Sequence, residues 1–185
     1  MLWNLPNSLT LFRIVLIPVF AVIFYMNPTH LANVYATAVF ALAAITDWLD
    51  GFLARRMNQE SAFGQFLDPV ADKLIVAAAL LVLLNLDRVQ AWVALVIIGR
   101  EITISALREW MAQVGASRSV AVHMVGKLKT TAQLIAIPFL LFNGQILGMH
   151  SSLLGTWLIW IAAFLTLWSM FYYLQKALPQ LTNKP

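Results

Sequence analysis

The stretch that decides both fold and chemistry runs from Asp47 to Asp72 and reads DWLDGFLARRMNQESAFGQFLDPVAD. It holds five of the chain's eight acidic residues, and four of them form one pair at each end: Asp47 with Asp50, and Asp68 with Asp72. The flanking segments are apolar, since positions 14–46 and 74–86 carry no charged residue. Ionised groups beside such segments are costly unless they are paired or bound to a metal.

The spacing within each pair places its two carboxylates on one face of a helix. Asp47 and Asp50 are three positions apart, and Asp68 and Asp72 are four apart, which are offsets that share a helical face. If the two helices pack antiparallel, all four carboxylates can converge, and their mutual repulsion then has to be neutralised. An all-oxygen ligand set favours Mg²⁺ or Mn²⁺. The stretch therefore predicts a divalent-metal site between two neighbouring helices.

The rest of the chain has the composition of an integral membrane protein. Of its 185 residues, 61% are hydrophobic and 11% are charged, whereas soluble domains are about 25% charged. The mean hydropathy is +0.80. The chain has no cysteine, so disulfides and thiolate metal sites are excluded. The net charge of +4 indicates topology and contact with anionic lipid or phosphate, and we expect no nucleic-acid partner.

Polar breaks divide the apolar sequence into six predicted spans of one all-α bundle. A span needs about 20 residues to cross the hydrocarbon core. A short interfacial segment at 1–7 comes first, and the whole of 1–185 forms one domain. The predicted spans are 8–26, 31–53, 65–86, 89–111, 127–143 and 151–175. The pattern leaves open whether Pro18 kinks the first span.

The distribution of basic residues predicts how the bundle is oriented. Six spans put both termini on one side of the membrane. With Arg100 left unassigned, that side carries ten Lys and Arg residues, and the other side carries only Arg88. By the positive-inside rule, both termini and the carboxylates then face the cytoplasm.

The stretch fits the pattern D-x2-D-G-x2-A-R-x8-G-x3-D-x3-D at every fixed position. Besides the four aspartates, the fixed residues are Gly51, Ala54, Arg55 and Gly64. This pattern resembles the signature of the CDP-alcohol phosphotransferase family, and the length and six-span layout are similar over the whole chain. The segments PNSLTLFR (6–13), GREITISALREW (99–110) and GKLKTTAQ (126–133) resemble the bacterial branch of that family that uses glycerol 3-phosphate as acceptor.

The resemblance implies a multi-pass enzyme of anionic phospholipid biosynthesis in the bacterial inner membrane. Such an enzyme transfers the phosphatidyl group of CDP-diacylglycerol to glycerol 3-phosphate and releases CMP. In the family, the first three aspartates are chiefly metal ligands, and the fourth is the proposed base. Carried over, Asp47, Asp50 and Asp68 bind Mg²⁺ or Mn²⁺, with two ions per active site, and Asp72 is the catalytic base and a further ligand. The resemblance also implies a homodimer.

The same resemblance assigns the donor's nucleotide to the motif and to the first span. The residues are Asp50, Gly51, Ala54, Arg55, Gly64, Asn7 and Thr10. Glycine lets a ligand approach the backbone closely, and the planar fork of arginine suits phosphate. Arg13 lies on the same helical side as Asn7 and Thr10. The alternative for this first segment is a helix cap followed by an interface anchor.

A second basic set predicts a pocket for the acceptor's phosphate. Its members are Arg108, Arg118, Lys127 and Lys129. The alternative is a cytoplasmic loop that only follows the positive-inside rule. Arg100 and Glu101 lie deeper within a span, where a charge marks either a functional site or a structural ion pair. Glu101 shares a helical face with Arg108, so a link to the acceptor pocket is possible.

Two alternative functions stay open at this point. One is the same donor with a different alcohol acceptor, as in cardiolipin or phosphatidylinositol phosphate synthesis. The other belongs to a different class, a divalent-cation transporter, because carboxylates between spans also serve as ion sites. The glycine and arginine positions of the motif have no obvious use in ion passage. Release of CMP from the donor distinguishes a transferase from a transporter.

Overall fold

The fold is known from a computed structural model, which describes residues 5–26, 29–57, 62–113, 124–146 and 148–182; the side chains of 50–55 and of Lys127 are not among those described. The described residues are almost entirely helical, as expected. The elements are α1 (Leu5–Met26), α2 (His30–Met57), α3 (Ala62–Asn85), α4 (Ala91–Gln113), α5 (Met124–Phe142), β1 (Gln145–Ile146), β2 (Met149–His150) and α6 (Ser151–Thr182).

The helices lie at the predicted spans but extend beyond them. Helix α1 already includes positions 5–7 of the expected interfacial segment, and Pro18 lies inside it without ending it. Helix α2 continues to Met57, four residues past the predicted end of the second span. No glycine or proline follows Gly51 there, and the alanine and arginines at 54–56 are good helix formers. The motif residues therefore lie on helical backbone on both sides of the α2–α3 link.

Local chemistry accounts for several of the helix ends. The Thr29 side chain accepts a hydrogen bond from the Ala32 amide at 3.4 Å, which caps the start of α2. After α3, Asp87 adopts a φ of 55°, and the Arg88 amide donates to the Leu83 carbonyl at 2.9 Å. A left-handed residue after the last turn is a usual way to satisfy the final carbonyls of a helix.

The link between α5 and α6 differs from the all-α prediction. It forms a small antiparallel hairpin in which β1 pairs with β2. Asn143 has a φ of 43° and Gly148 a φ of 80°, so the backbone turns sharply at both points. Ser151 closes the hairpin, because its amide donates to the Gly144 carbonyl at 2.9 Å. Asn143 and Gly144 predicted a break between the fifth and sixth spans, but the sequence did not predict that strands would pair there.

Helix packing builds one main apolar core. Helix α1 packs on α2 and α3, α2 also packs on α5, and α6 packs on α4 and α5. Phe20, Phe40, Leu80 and Ile97 are fully or almost fully buried in this core. At Gly155 an added Cβ would lie 2.7 Å from the side chain of Leu140, so the close approach of α5 and α6 requires glycine there.

The outer surface of the bundle is apolar. Large side chains such as Leu95, Trp157, Phe164 and Phe171 point outward, as they would toward lipid. Within the described residues, two helical segments are long and apolar enough to cross a membrane by length and composition, Asn7–Phe24 and Ser151–Gln175. The remaining helices carry more charge, and six spans with cytoplasmic termini stay a prediction.

Arg88 joins three elements at the end of the bundle away from the carboxylates. Its guanidinium donates to the carbonyls of Leu140 and Leu141 at 3.1 and 2.9 Å, and to Asn33 Oδ1 at 3.1 Å. The two carbonyls belong to the last turn of α5, which has no further helical amide to bond. Burial lowers the pKa of the Arg88 guanidinium, although arginine stays charged. Arg88 therefore acts as a clamp on α2 and α5.

Replacing Arg88 by methionine should lower the free energy of unfolding by about 2–4 kcal/mol, because hydrogen bonds to a charged group contribute about 1.5–3 kcal/mol each. Denaturation in detergent measures the loss. Arg88→Lys is the matched control. Lysine keeps the charge, but its single ammonium group cannot bond both the α5 carbonyls and Asn33 as the guanidinium does. Wild-type stability in Arg88→Lys would show that the charge alone matters and that the clamp does not.

Candidate active site

The predicted carboxylates meet side chains from the first helix. Thr10 Oγ1 donates to Asp68 Oδ1 at 2.5 Å. Arg13 Nη1 contacts Asp47 Oδ1 at 3.0 Å and also Asp72 Oδ1. Helix α1 thus places a hydroxyl and a cation against carboxylates from both α2 and α3.

Burial differs sharply between the two sides of these contacts. Thr10 and Arg13 are at most 1% exposed, whereas the side chains of Asp47 and Asp72 are 46% and 44% exposed. The arginine is held inside the bundle, and the carboxylates open toward a cavity. A buried guanidinium with carboxylate partners fixes the orientation of those carboxylates.

The carboxylate cavity has a volume of about 330 Å³. Its lining includes the carboxylates of Asp47, Asp68 and Asp72 and the apolar side chains of Phe40, Ala43, Ile75 and Val76. From α4 and α5 come Glu101, Arg108, Thr130 and Gln133. A cavity lined by several carboxylates and by arginine suits a charged substrate that is bound through cations.

A second, basic cavity of about 380 Å³ adjoins the first. Its lining includes Arg100, Lys129 and Tyr173, and it shares Glu101, Arg108 and Thr130 with the carboxylate cavity. The shared residues form the boundary between the two spaces. Arg108 and Lys129, both predicted for the acceptor's phosphate, therefore lie next to the carboxylates.

Glu101 organises the cations of the basic cavity. Its Oε1 atom contacts Lys129 Nζ and lies 3.3 Å from Arg100 Nη1. Arg100 also donates to Ser169 Oγ at 3.4 Å and lies over the Tyr173 ring, 5.7 Å from its centre. Lys129 is 1% exposed, so a carboxylate partner is needed to keep its charge inside the bundle. The sequence left a functional site and a structural ion pair open for Arg100 and Glu101, and the contacts show the ion pair at the wall of a cavity.

The other predicted site residues are described only in part. Asn7 is 2% exposed and Gly64 is buried, one near the start of α1 and the other near the start of α3. Gly51, Ala54, Arg55 and Asp50 belong to the α2 backbone, but their side chains lie outside the described residues. The side chain of Lys127 and all of Arg118 lie outside them as well. The nucleotide and phosphate roles of these residues stay predictions.

Two cavity residues were missed by reasoning from the sequence. Arg13 was grouped with Asn7 and Thr10 but was not paired with any aspartate, and Gln133 was given no role. The signal for Arg13 is a lone charge in an apolar helix, where a partner is required. For Gln133 the signal is weaker, a single amide four residues after Lys129 on the same helical face.

The carboxylate geometry fits a cation. Asp47 and Asp72 both contact the same nitrogen of Arg13, so one positive charge can touch both, and carboxylate oxygens are the donors that Mg²⁺ and Mn²⁺ prefer. Among the side chains that the structure describes, no three His, Asp or Glu residues lie close enough together to hold one ion. Because Asp50 is outside that set, the convergence of all four carboxylates stays a prediction.

Comparison with known proteins decides the family. The family model for CDP-alcohol phosphatidyltransferase matches residues 3–168. The chain belongs to the CDP-alcohol phosphatidyltransferase family. A relative from Salmonella typhimurium (strain LT2) is 52% identical over 180 residues, which are 96% of each chain. A relative from Escherichia coli (strain K12) is 49% identical over 187 residues, which cover both chains in full.

Both relatives carry the name CDP-diacylglycerol–glycerol-3-phosphate 3-phosphatidyltransferase. The resemblance seen in the motif is thereby confirmed at the level of the family. As a CDP-alcohol phosphatidyltransferase, the chain is an enzyme, and its bacterial relatives and apolar exterior make it a membrane-bound one. Membership in a transferase family also argues against the cation transporter.

Proposed function

We propose that this enzyme transfers the phosphatidyl group of CDP-diacylglycerol to glycerol 3-phosphate, giving phosphatidylglycerophosphate and CMP. The observation that carries the proposal is the full-length identity of about half with relatives of that name. The two adjoining cavities support it independently. One presents carboxylates for a metal-bound diphosphate, and the other presents Arg108 and Lys129 for a phosphorylated acceptor. An unphosphorylated acceptor would have no use for the basic cavity.

In the proposed mechanism, Asp72 takes the proton from the terminal hydroxyl of glycerol 3-phosphate. The hydroxyl oxygen attacks the phosphatidyl phosphorus, the bond from that phosphorus to the CMP oxygen breaks, and CMP leaves. The contact with Arg13 holds the Asp72 carboxylate in a fixed orientation for this role. Since such transfers need little covalent help from the protein, positioning and charge neutralisation provide most of the catalysis.

Asp47, Asp50 and Asp68 would hold the metal, with Asp72 as a further ligand. Two Mg²⁺ or Mn²⁺ ions, when bound, neutralise the charge that develops on the diphosphate and the leaving group. Thr10 keeps the Asp68 carboxylate in place through its hydroxyl. Gly51, Ala54, Arg55, Gly64 and Asn7 would contact the nucleotide, from the α2 and α3 side and from α1.

The finer localisation is part of the same proposal. The enzyme would be a multi-pass protein of the bacterial inner membrane, with both termini and the active site on the cytoplasmic side, and a homodimer. The basic excess near the carboxylate end, against the single Arg88 at the other end, supports this orientation. Cytoplasmic access also suits a water-soluble phosphorylated acceptor.

The function is tested with the full chain purified in detergent, CDP-diacylglycerol, Mg²⁺ and a panel of acceptors. Glycerol 3-phosphate, glycerol, phosphatidylglycerol and inositol 1-phosphate are compared by CMP release and by product mass. Of the four acceptors, we expect only glycerol 3-phosphate to support CMP release. We expect this release to stop when EDTA chelates the metal. Faster release with phosphatidylglycerol or inositol phosphate would assign the enzyme to a different acceptor, and full activity in EDTA would refute the metal.

Within this reaction, Arg108→Ala and Lys129→Ala should each raise KM for glycerol 3-phosphate about 10- to 100-fold, because a charge-assisted hydrogen bond to phosphate contributes about 1.5–3 kcal/mol. Initial rates at varied acceptor concentration measure this, with KM for CDP-diacylglycerol as the internal control. An unchanged KM for the acceptor in both variants would favour the topology-only interpretation of the basic residues.

A further inference from the structure

Gln133 is a buried amide that opens into the carboxylate cavity. It is 4% exposed and lines that cavity together with Asp72 and Glu101. Its Nε2 group finds no acceptor among the residues that the structure describes. A buried donor without a partner costs free energy, so native proteins keep few of them, and many of these serve a function. Here the cavity offers the amide a place for a ligand oxygen.

The position of Gln133 along α5 relates it to the acceptor. Gln133 lies one helical turn after Lys129 on the same face, and Lys129 contacts Glu101 in the basic cavity. In the proposed function, Lys129 and Arg108 bind the acceptor's phosphate, and Asp72 contacts its reacting hydroxyl. Glycerol 3-phosphate must then cross the boundary between the two cavities, where Glu101, Arg108 and Thr130 are shared. Its middle carbon lies at that boundary, next to the α5 wall that carries Gln133.

The chemistry of the side chain points to a hydroxyl. The phosphates of both substrates have cations available, namely metal ions on the carboxylates and the residues Arg108 and Lys129. An uncharged amide adds little to phosphate binding, but it can donate to a hydroxyl oxygen and accept from a hydroxyl proton. Glycerol 3-phosphate has one hydroxyl that neither reacts nor is phosphorylated, the middle one.

We propose that Gln133 is a specificity-determining residue that hydrogen-bonds the middle hydroxyl of glycerol 3-phosphate, an inference that rests on the proposed function. The amide binds the oxygen of the middle hydroxyl, which takes no part in the transfer reaction. It thereby selects acceptors with a hydroxyl beside the reacting carbon and orients the terminal hydroxyl toward Asp72. A site built to bond a substrate hydroxyl discriminates strongly against an analogue that lacks it.

The test compares glycerol 3-phosphate with 3-hydroxypropyl phosphate, which lacks only the middle hydroxyl. For the wild type, kcat/KM should favour glycerol 3-phosphate about 10- to 100-fold. In Gln133→Met, which keeps the volume but not the amide, the ratio should fall to within about threefold of one, while KM for CDP-diacylglycerol stays unchanged. The ratio is taken on one preparation, so it does not depend on how much of the enzyme is active.

Gln145→Met, on the exposed hairpin, is the matched control and should keep the wild-type ratio. If Gln133→Met is not recovered folded, Gln133→Asn withdraws the amide by one carbon and should also lower the ratio. Equal losses with both acceptors, or a raised KM for CDP-diacylglycerol, would overturn the assignment, as would a wild type that does not discriminate. Absence of CMP release with either acceptor in the wild type would instead refute the proposed function.

Discussion

Asp72→Asn should lower kcat about 10²- to 10⁴-fold, which is the usual contribution of a positioned general base. Asparagine is nearly the same size and can still accept a hydrogen bond from Arg13 through Oδ1. It cannot take a proton from the acceptor hydroxyl. CDP-diacylglycerol should still bind, because the contacts proposed for its nucleotide come from other residues.

Two measurements separate chemistry from binding in this variant. Single-turnover CMP release with glycerol 3-phosphate gives the chemical step, and equilibrium binding of labelled CDP-diacylglycerol gives the donor affinity. Asp87→Asn is the control, an exposed aspartate in the α3–α4 turn whose positive φ asparagine tolerates. Turnover near that of the wild type in Asp72→Asn would remove Asp72 as the base. Lost donor binding would make it a ligand to the metal only.

The second large effect is expected for Arg13→Met, which should lower the free energy of unfolding in EDTA by about 2–4 kcal/mol. Breaking a buried ion pair on one side costs about 3–5 kcal/mol. The expected value is somewhat smaller because Asp47 and Asp72 are nearly half-exposed, and water screens their repulsion. Unfolding in detergent, followed by circular dichroism, measures the loss.

Added Mg²⁺ should recover part of the stability that Arg13→Met loses, since a divalent cation on the same carboxylates replaces the missing charge. Arg56→Met, at an exposed arginine beside the motif, should change stability by no more than about 0.5 kcal/mol. In the double variant Arg13→Met/Asp72→Asn, the loss should be smaller than the sum of the two single losses, because the residues are in contact. If the two losses are additive and Mg²⁺ does not reduce the loss in Arg13→Met, then Arg13 does not neutralise carboxylates that bind a cation.

The candidate site shows how far reasoning from sequence reaches. The motif located Asp47, Asp68 and Asp72, and the structure places all three in the lining of one cavity. The motif could not identify Arg13 as the counter-ion of Asp47 and Asp72, since Arg13 and Asp72 are 59 positions apart in the chain. That contact exists only because α1 packs on both α2 and α3.

The acceptor side shows the same division. Basic residues in α4 and α5 were predicted to bind a phosphate, but their arrangement in space could not be predicted. Lys129 contacts Glu101 across 28 positions, and Glu101 lies at the boundary that the two cavities share. Gln133, on the same helical face as Lys129, became a candidate only from the structure. The structure shows that it is buried and that its Nε2 group has no partner among the described residues.

The sequence by itself determined that this protein is a bundle of apolar helices with paired carboxylates at the ends of two of them. Such features depend on the order of neighbouring residues: helical periodicity, polar breaks and fixed spacings act over a few turns. Only the tertiary structure decided which cation faces the carboxylates, where the basic cavity joins them, and which buried amide lines the carboxylate cavity. These depend on which helices pack together, because side chains distant in the chain have to meet in space.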